Sequence, residues 1–297
     1  MAYILSGFAD EIASSLDEQI SVSAANSVRF IEMRGVNGKP LVDHTLDEAK
    51  EIKKHLDAEG FSLSAVGSPF GKIKITDDFA PHLEHYKRGI EIAHILDAKY
   101  IRLFSFFIDA NDNPADYTDE VMSRLAKFVE FADGILPAHE NEKDIFGDTA
   151  ERCKQIYDTF GGQIKLVFDP ANFIQCGGDT LQAWELLAPF TEYLHIKDAR
   201  KADGSVVPAG CGDGNLEEIL NRFAQAPGNR FLTLEPHLKV FDGFAALENG
   251  AEMKETFSYP TGEAAFTAAA TALKSLLCAN GFKQSKDIEG GYGIWTR

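Results

Sequence analysis

The chain has few cysteines, and they follow no pairing pattern. The four cysteines lie at positions 153, 176, 211 and 278 and form no CxxC motif. Disulfide frameworks are typical of small secreted domains with little core, whereas this chain has 22 phenylalanines among 297 residues. The cysteines are therefore expected to be free thiols of an intracellular protein.

Basic residues are also scarce. Lys and Arg number 29 against 46 Asp and Glu, which gives a net charge of −17. Such a chain repels phosphate backbones unless it carries a local basic patch, and none stands out. The charge balance therefore predicts no nucleic-acid partner.

Long apolar runs are missing as well. No stretch approaches the roughly 20 apolar residues of a membrane span. The first residues, MAYILSGFADEI, lack the basic and long apolar regions of a signal peptide. We expect a cytoplasmic protein with no membrane partner.

The hydrophobic residues, 44% of the chain, instead recur in short runs rich in β-branched and aromatic side chains. These runs predict eight strands, at Tyr3–Phe8, Arg29–Met33, Phe61–Val66, Lys99–Phe104, Ile135–Glu140, Lys165–Asp169, Tyr193–Ile196 and Phe231–Glu235.

Helical segments separate the strands. Thr45 and Glu48 form a capping-box pattern, and Asp148-Thr149 precedes another helix. Gly60 and Gly281 fit the C-terminal caps of helices.

Strand–helix alternation repeated eight times predicts an α/β protein with a closed (β/α)8 barrel, and an open doubly wound sheet is the alternative. No linker divides the chain, so residues 1–297 are expected to form a single domain. Two segments are predicted to be irregular: the connection 236–262, and the C-terminal tail 281–297 with its Trp295.

Four successive predicted strands end in Glu140, Asp169, His195 and Glu235. The functional end of a barrel is the C-terminal end of its strands. Side chains two positions apart in a strand share a face, so Asp169, His195 and Glu235 share the faces of Val167, Tyr193 and Thr233. Three carboxylates meeting at one barrel mouth would repel one another without a cation. A divalent metal supplies the missing charge and suits mixed oxygen and nitrogen ligands.

Taken singly, each of these residues has a simpler interpretation. A lone carboxylate at a strand end is usually a helix cap or a solvated residue, and a lone histidine is usually part of the core. The metal hypothesis depends on the four together. Glu142 is an alternative ligand, while His139 is expected to face outward.

Five motifs bear a specific resemblance when read in order: HENEKDIFGDT, FDPANF, HIKDA, GCGDGN and LEPH. The chain resembles the xylose-isomerase-like TIM barrels grouped as sugar phosphate isomerases and epimerases, over nearly its whole length. In that family a Glu, Asp, His, Glu set binds one divalent ion, commonly manganese, cobalt, magnesium or zinc. The resemblance places these ligands at Glu140, Asp169, His195 and Glu235, and it implies sugar or polyol chemistry.

The glycine-rich stretch 210–214 is not interpreted as a nucleotide-binding loop. It lacks the strand–GxGxxG–helix context of a dinucleotide site. It predicts a tight loop before a helix at Leu216, with Asp213 or Asn215 as the helix cap.

A metal that chelates a sugar through its carbonyl and neighbouring hydroxyl oxygens acidifies the adjacent C–H and stabilises the enediolate. Glu140 and Glu235 are then the expected acid–base pair, giving epimerisation or aldose–ketose isomerisation. The expected partner is a small sugar or sugar phosphate, and a homo-oligomer is compatible with the sequence. The candidate substrate-binding residues are Lys197, His237, Arg34 and Asn172.

Three alternatives stay open. A metal-dependent lyase such as an inosose dehydratase shares the four ligands. An endonuclease-IV-like phosphodiesterase needs a histidine three residues after the strand-six Asp, where this chain has Asn172. A sugar-binding barrel without activity would be expected to have lost a ligand, and none is lost.

Overall fold

A closed barrel of eight parallel strands forms the centre of the molecule. The computed structural model describes residues 2–239, 258–285 and 294–297. The first strand pairs in parallel with both the second and the eighth, which closes the sheet. The predicted (β/α)8 barrel is therefore confirmed, and the open sheet is excluded. The strands are β1 (Ala2–Gly7), β2 (Phe30–Met33), β3 (Ser62–Gly67), β4 (Tyr100–Leu103), β5 (Leu136–Glu140), β6 (Lys165–Phe168), β7 (Thr191–Ile196) and β8 (Asn229–Leu234).

Helices follow the strands and cover the outside of the barrel. Thr45 and Glu48 form the predicted capping box, and Thr149 caps a helix by accepting from the Arg152 N–H. Gly60 and Gly281 follow helix ends with φ values of 69° and 80°. The helices are α1 (Leu16–Ala25), α2 (Leu46–Ala58), α3 (Phe79–Ile95), α4 (Thr118–Glu130), α5 (Ala150–Thr159), α6 (Pro170–Gln175), α7 (Thr180–Leu187), α8 (Leu216–Phe223) and α9 (Gly262–Ala279).

Apolar side chains fill two regions of the fold. Two large clusters pack the outward faces of the strands against the helices. A smaller cluster contains Ala65, Tyr100, Ala138, Val167 and Tyr193 from β3 to β7. The side chains of this interior layer alternate with those that face the helices.

The C-terminal tail is more regular than predicted. Lys283–Ser285 (β9) pairs antiparallel with Ile294–Thr296 (β10), and β10 pairs antiparallel with β1. The first residues of β1 have no partner in β2, because β2 pairs with β1 only at Ser6 and Gly7. The tail strand uses these free backbone groups. Of the predicted connection 236–262, residues 240–257 lie outside the described residues.

The glycine-rich loop 210–214 is held by a carboxylate rather than by a helix cap. Asp198 accepts the N–H groups of Gly210, Gly212 and Gly214 at 2.9–3.0 Å. Asn215 stands before α8 with φ 56°, but its side chain makes no capping bond. Asn215 therefore occupies the predicted N-cap position of the helix that begins at Leu216, but the side-chain capping bond expected there is absent, and Asp213 instead accepts the Lys201 N–H.

In the described parts of the chain, no helix combines the length and the apolar character that crossing a membrane requires.

Candidate metal centre

Four side chains from consecutive strands converge at the C-terminal end of the barrel. Glu140 ends β5, Asp169 follows β6, His195 lies near the end of β7 and Glu235 follows β8. Each offers one oxygen or nitrogen atom, and these four atoms lie within 4.8 Å of one another. All four side chains are buried. We refer to them as the four-residue cluster.

Strand alternation explains why these side chains point inward. Ala138, Val167 and Tyr193 belong to the interior layer and lie two residues before Glu140, Asp169 and His195. Thr233, two residues before Glu235, is also buried. The faces inferred from the sequence therefore agree with the structure, and the interior layer forms the floor below the cluster.

The two carboxylate oxygens of Asp169 have different roles. Its Oδ1 accepts the Asn172 N–H at 2.9 Å and caps the short helix α6. Its Oδ2 faces the cluster, 4.0 Å from His195 Nδ1. The helix-cap interpretation and the ligand interpretation thus apply to different atoms of one carboxylate.

His195 contacts carboxylates through both ring nitrogens. Nδ1 lies 2.9 Å from Glu140 Oε1 and 3.3 Å from Glu235 Oε2. Nε2 lies 3.2 Å from Glu32 Oε2 on the opposite side of the ring. Burial lowers the pKa of His195, but Glu140 and Glu32 outweigh it and raise this pKa well above its usual value.

Glu140 is held by cationic and amide donors. Arg102 Nη1 donates to Glu140 Oε2 at 3.0 Å, and Asn172 Nδ2 donates to Oε1 at 3.3 Å. Burial alone would raise the pKa of Glu140, but His195 and Arg102 outweigh burial and lower this pKa to about 2. The carboxylate is therefore ionised at neutral pH.

Lys197, the residue after β7, lies between two members of the cluster. Its Nζ is 3.1 Å from Asp169 Oδ2 and 3.2 Å from Glu235 Oε2. Burial raises the pKa of Asp169 to about 7, although Lys197 opposes this effect. The ammonium group supplies part of the positive charge that three neighbouring carboxylates need.

The outer oxygen of Glu235 faces a second group of charges. Its Oε1 lies 3.3 Å from His237 Nε2 and 3.6 Å from Arg34 Nη1. Glu11 accepts the His237 backbone N–H at 2.7 Å, and the backbone of His237 is in the left-handed region, with a φ of 45°. A second group of possible ligand atoms, within 4.8 Å of one another, comes from Glu11, Glu235 and His237. The Arg34 guanidinium already contacts both of these carboxylates.

The four-residue cluster fits a divalent cation. Asp169 Oδ2 and Glu235 Oε2 are buried and accept no well-directed hydrogen bond within the described residues, although Lys197 lies nearby. Both oxygens face His195 Nδ1. Three carboxylate oxygens and one imidazole nitrogen are a donor set that suits zinc, manganese, cobalt or magnesium.

The structure also places the other candidate residues. Lys197, His237, Arg34 and Asn172 all contact a member of the cluster. Glu142, the alternative ligand, lies outside the cluster and pairs with Lys72 at 3.0 Å. His139, expected to face outward, bonds Ser105 Oγ at 2.9 Å rather than joining the cluster.

Three residues that contact the cluster or its neighbours have no role predicted from the sequence: Glu32, Arg102 and Glu11. Glu32 and Arg102 each occupy the third position of a strand, β2 and β4, and both are buried. A charged residue inside a short apolar strand is uncommon and signals a buried polar partner. Glu11 lies in a short 3-10 turn after β1 and has no comparable signal.

Comparison with protein families and solved structures places the chain among known barrels. A family model described as xylose isomerase-like TIM barrel matches residues 21–257. Comparison with curated proteins gives no significant match.

Three solved structures illustrate the similarity in fold. The zinc-binding IOLI protein has a TM-score of 0.70 at 16% identity, over 93% of this chain and 98% of that chain. L-Ribulose 3-epimerase gives 0.69 at 15% identity, over 94% and 96%. The probable 3-DHS dehydratase AsbF of Bacillus anthracis gives 0.68 at 16% identity, over 92% and 99%.

Proposed function

Because the chain belongs to the xylose isomerase-like TIM barrel family, we propose that it is a divalent-metal-dependent isomerase or epimerase of a sugar or sugar phosphate. Its ligands are Glu140, Asp169, His195 and Glu235. The observation that carries the proposal is the convergence of four buried ligand atoms at the C-terminal mouth of the barrel. This is where (β/α)8 barrels place their active sites.

The chemistry needs two kinds of group. When bound, a divalent ion acts as a Lewis acid that polarises the substrate carbonyl and makes the neighbouring C–H acidic. Glu140 and Glu235 then serve as base and acid, because they come from different strands and reach a bound substrate from different sides. Return of a proton to the opposite face of the same carbon inverts that carbon, and return to the neighbouring carbon interconverts aldose and ketose.

Four polar residues beside the cluster are the proposed contacts for substrate oxygens. Lys197, His237 and Arg34 bring positive charge to the Glu235 side of the cluster. Asn172 presents its amide beside Glu140. We assign these four to substrate binding, with the cations oriented toward hydroxyl or phosphate oxygens.

A dehydratase is the second candidate. Lyases of this kind also remove a proton next to a carbonyl, but they then expel a hydroxyl group as water, which requires an acid. Lys197 and His237 both lie against Glu235, and both carry transferable protons. A dehydratase among the structurally similar proteins supports keeping this alternative.

Deuterium exchange tests the proposal. The metal-loaded protein is incubated in D₂O with a panel of ketoses, ketose phosphates and inososes, and the products are followed by NMR. Proton transfer through a carboxylate places deuterium at the carbon next to the carbonyl. Loss of water from an inosose without epimerisation would assign the dehydratase instead.

Glu235→Gln and Glu142→Gln form a matched pair for this assay. Gln cannot accept the substrate proton, so Glu235→Gln should lower the rate by ~10²–10⁴-fold. Glu142 pairs with Lys72 outside the cluster, so its variant should keep turnover within a few-fold. Product without deuterium, together with an active Glu235→Gln enzyme, would reject proton transfer through the carboxylates.

A further inference from the structure

Glu32 is a fully buried carboxylate on the side of His195 away from the four-residue cluster. Its Oε2 lies 3.2 Å from His195 Nε2, and its Oε1 accepts the Tyr193 hydroxyl at 3.2 Å. Arg102 Nε is 3.9 Å from the same Oε1. Both oxygens are therefore engaged by residues of β4 and β7, and the carboxylate has a fixed place in the barrel interior.

The position of Glu32 determines which His195 nitrogen can face a metal. A neutral imidazole carries one N–H and one lone pair. Nδ1 points at the oxygens of Glu140 and Glu235, so metal binding requires the lone pair on Nδ1 and the proton on Nε2. Glu32 is the acceptor for that Nε2–H. Ligating histidines commonly donate their other N–H to a carboxylate, which fixes the ring and raises its basicity.

We propose that Glu32 is a positioning residue that sets the metal affinity of the site by orienting His195. The proposal rests on the metal centre of the proposed function but not on the reaction. It adds a residue of β2 to the metal site, whereas the four candidate ligands come from the ends of β5 to β8.

A simpler role for Glu32 is to neutralise Arg102. The distances argue against this as its main role. Arg102 is 3.0 Å from Glu140 but 3.9 Å from Glu32, whereas Glu32 approaches His195 to 3.2 Å. Arg102 is also held by the Ser68 carbonyl and packs over the rings of Phe8 and Phe104.

Zinc affinity tests the proposal directly. The dissociation constant is measured on the full chain by competition with a chromogenic chelator. Glu32→Gln keeps the shape but replaces the charged acceptor with a neutral one, and it should weaken zinc binding by ~10–100-fold. Glu32→Asp keeps the charge beside Arg102 but withdraws it from His195, and it should weaken binding as well. Tyr193→Phe leaves the His195 contact in place, so its effect should be only a few-fold.

A second measurement separates positioning from general stability. In the zinc-loaded protein, the His195 Nε2–H proton should resonate far downfield, because it is donated to a carboxylate. Glu32→Gln should move this resonance upfield, while Tyr193→Phe should leave it nearly unchanged. A purely structural role would lower the unfolding temperature of the metal-free protein without this pattern.

The outcomes distinguish this proposal from the proposed function. Wild-type protein that binds none of zinc, manganese, cobalt and magnesium would overturn both. Wild-type protein that binds zinc, with Glu32→Gln binding equally well and the Nε2–H resonance unmoved, would overturn the role of Glu32 alone. If Glu32→Asp keeps full affinity, charge rather than contact is what matters, and the positioning role is rejected.

Discussion

His82 shows how one side chain links loop geometry to pH. Its Nε2 accepts the Gly71 N–H at 2.8 Å, and its ring packs against Phe70 and Phe79. Gly71 has a φ of 89°, and a Cβ there would collide with the Phe104 carbonyl. The loop after β3 therefore depends on glycine and on a neutral His82, since a protonated Nε2 cannot accept a hydrogen bond.

We expect the stability of the protein to fall as the pH falls from about 6.5 to about 4 through His82. Burial, with smaller contributions from His85 and Arg124, lowers the pKa of His82 to about 4. Because the folded-state pKa lies below the unfolded value, the unfolded state binds more protons in this window and stability is lost toward acid pH. Partial exposure limits the effect to about 1–2 kcal/mol.

Urea unfolding at a series of pH values, compared between wild type and His82→Gln, measures this contribution. Gln keeps an acceptor for the Gly71 N–H but does not titrate. The difference in unfolding free energy between the two proteins should therefore change across this window. A constant difference would show that His82 does not contribute to the acid sensitivity.

At the scale of elements, the loop after β7 is organised around Asp198. This buried carboxylate accepts three glycine N–H groups, and Gly214 leaves no space for a side chain because a Cβ would lie 2.7 Å from Asp198 Oδ1. The loop connects β7, which carries His195, to α8. Its shape is therefore set by one carboxylate and by glycines that allow a close approach.

Asp198→Asn should lower the unfolding free energy by about 2–4 kcal/mol, since hydrogen bonds to a charged acceptor contribute ~1.5–3 kcal/mol each and the amide keeps only part of them. Asp213→Asn is the matched control in the same loop, because Asp213 is exposed and accepts one N–H. Chemical denaturation of both variants tests the expectation. Equal losses in the two would contradict a special role for Asp198.

The elements also show what sequence can predict. All eight strands were expected within a few residues of their bounds, because each is a short apolar run between helices with recognisable ends. The sequence does not predict the tail strands β9 and β10, since β10 pairs with backbone groups that β1 leaves free and β9 pairs with β10, and this depends on where β2 starts. The role of Asp198 was missed for the same reason, because its partners lie 12–16 residues further along the chain.

The candidate site also contains residues that the sequence predicts and residues that it does not. The four-residue cluster was found because its members share a position relative to successive strands. Glu32, Arg102 and Glu11 come from β2, β4 and the turn after β1, which lie outside the run of strands β5 to β8 that carries the cluster. The packing of the closed barrel brings them to the cluster or to His195, and although a buried charge in a strand signals a polar partner, no local pattern identifies which partner it is.

At the scale of the whole molecule, the cluster concentrates negative charge at the mouth of a chain whose net charge is already −17. Glu140, Asp169 and Glu235 are all buried there, and Glu32 is buried on the other side of His195. Lys197, Arg34 and Arg102 offset part of this charge. A cation that binds the folded cluster and not the unfolded chain must stabilise the fold by mass action.

Zinc or manganese at a free concentration of ~100 times its dissociation constant should therefore raise the unfolding free energy by ~2.7 kcal/mol, and a chelator should reverse the gain. Thermal unfolding with and without metal measures this gain.

Asp169→Asn is the informative variant, because its Oδ1 can still cap α6 while its Oδ2 is replaced by an amide nitrogen that cannot bind metal. This variant should fold without metal and gain much less when metal is added, as should His195→Ala. Glu142→Gln, outside the cluster, should gain as much as wild type. An equal gain in all four proteins would place the bound metal elsewhere on the acidic surface.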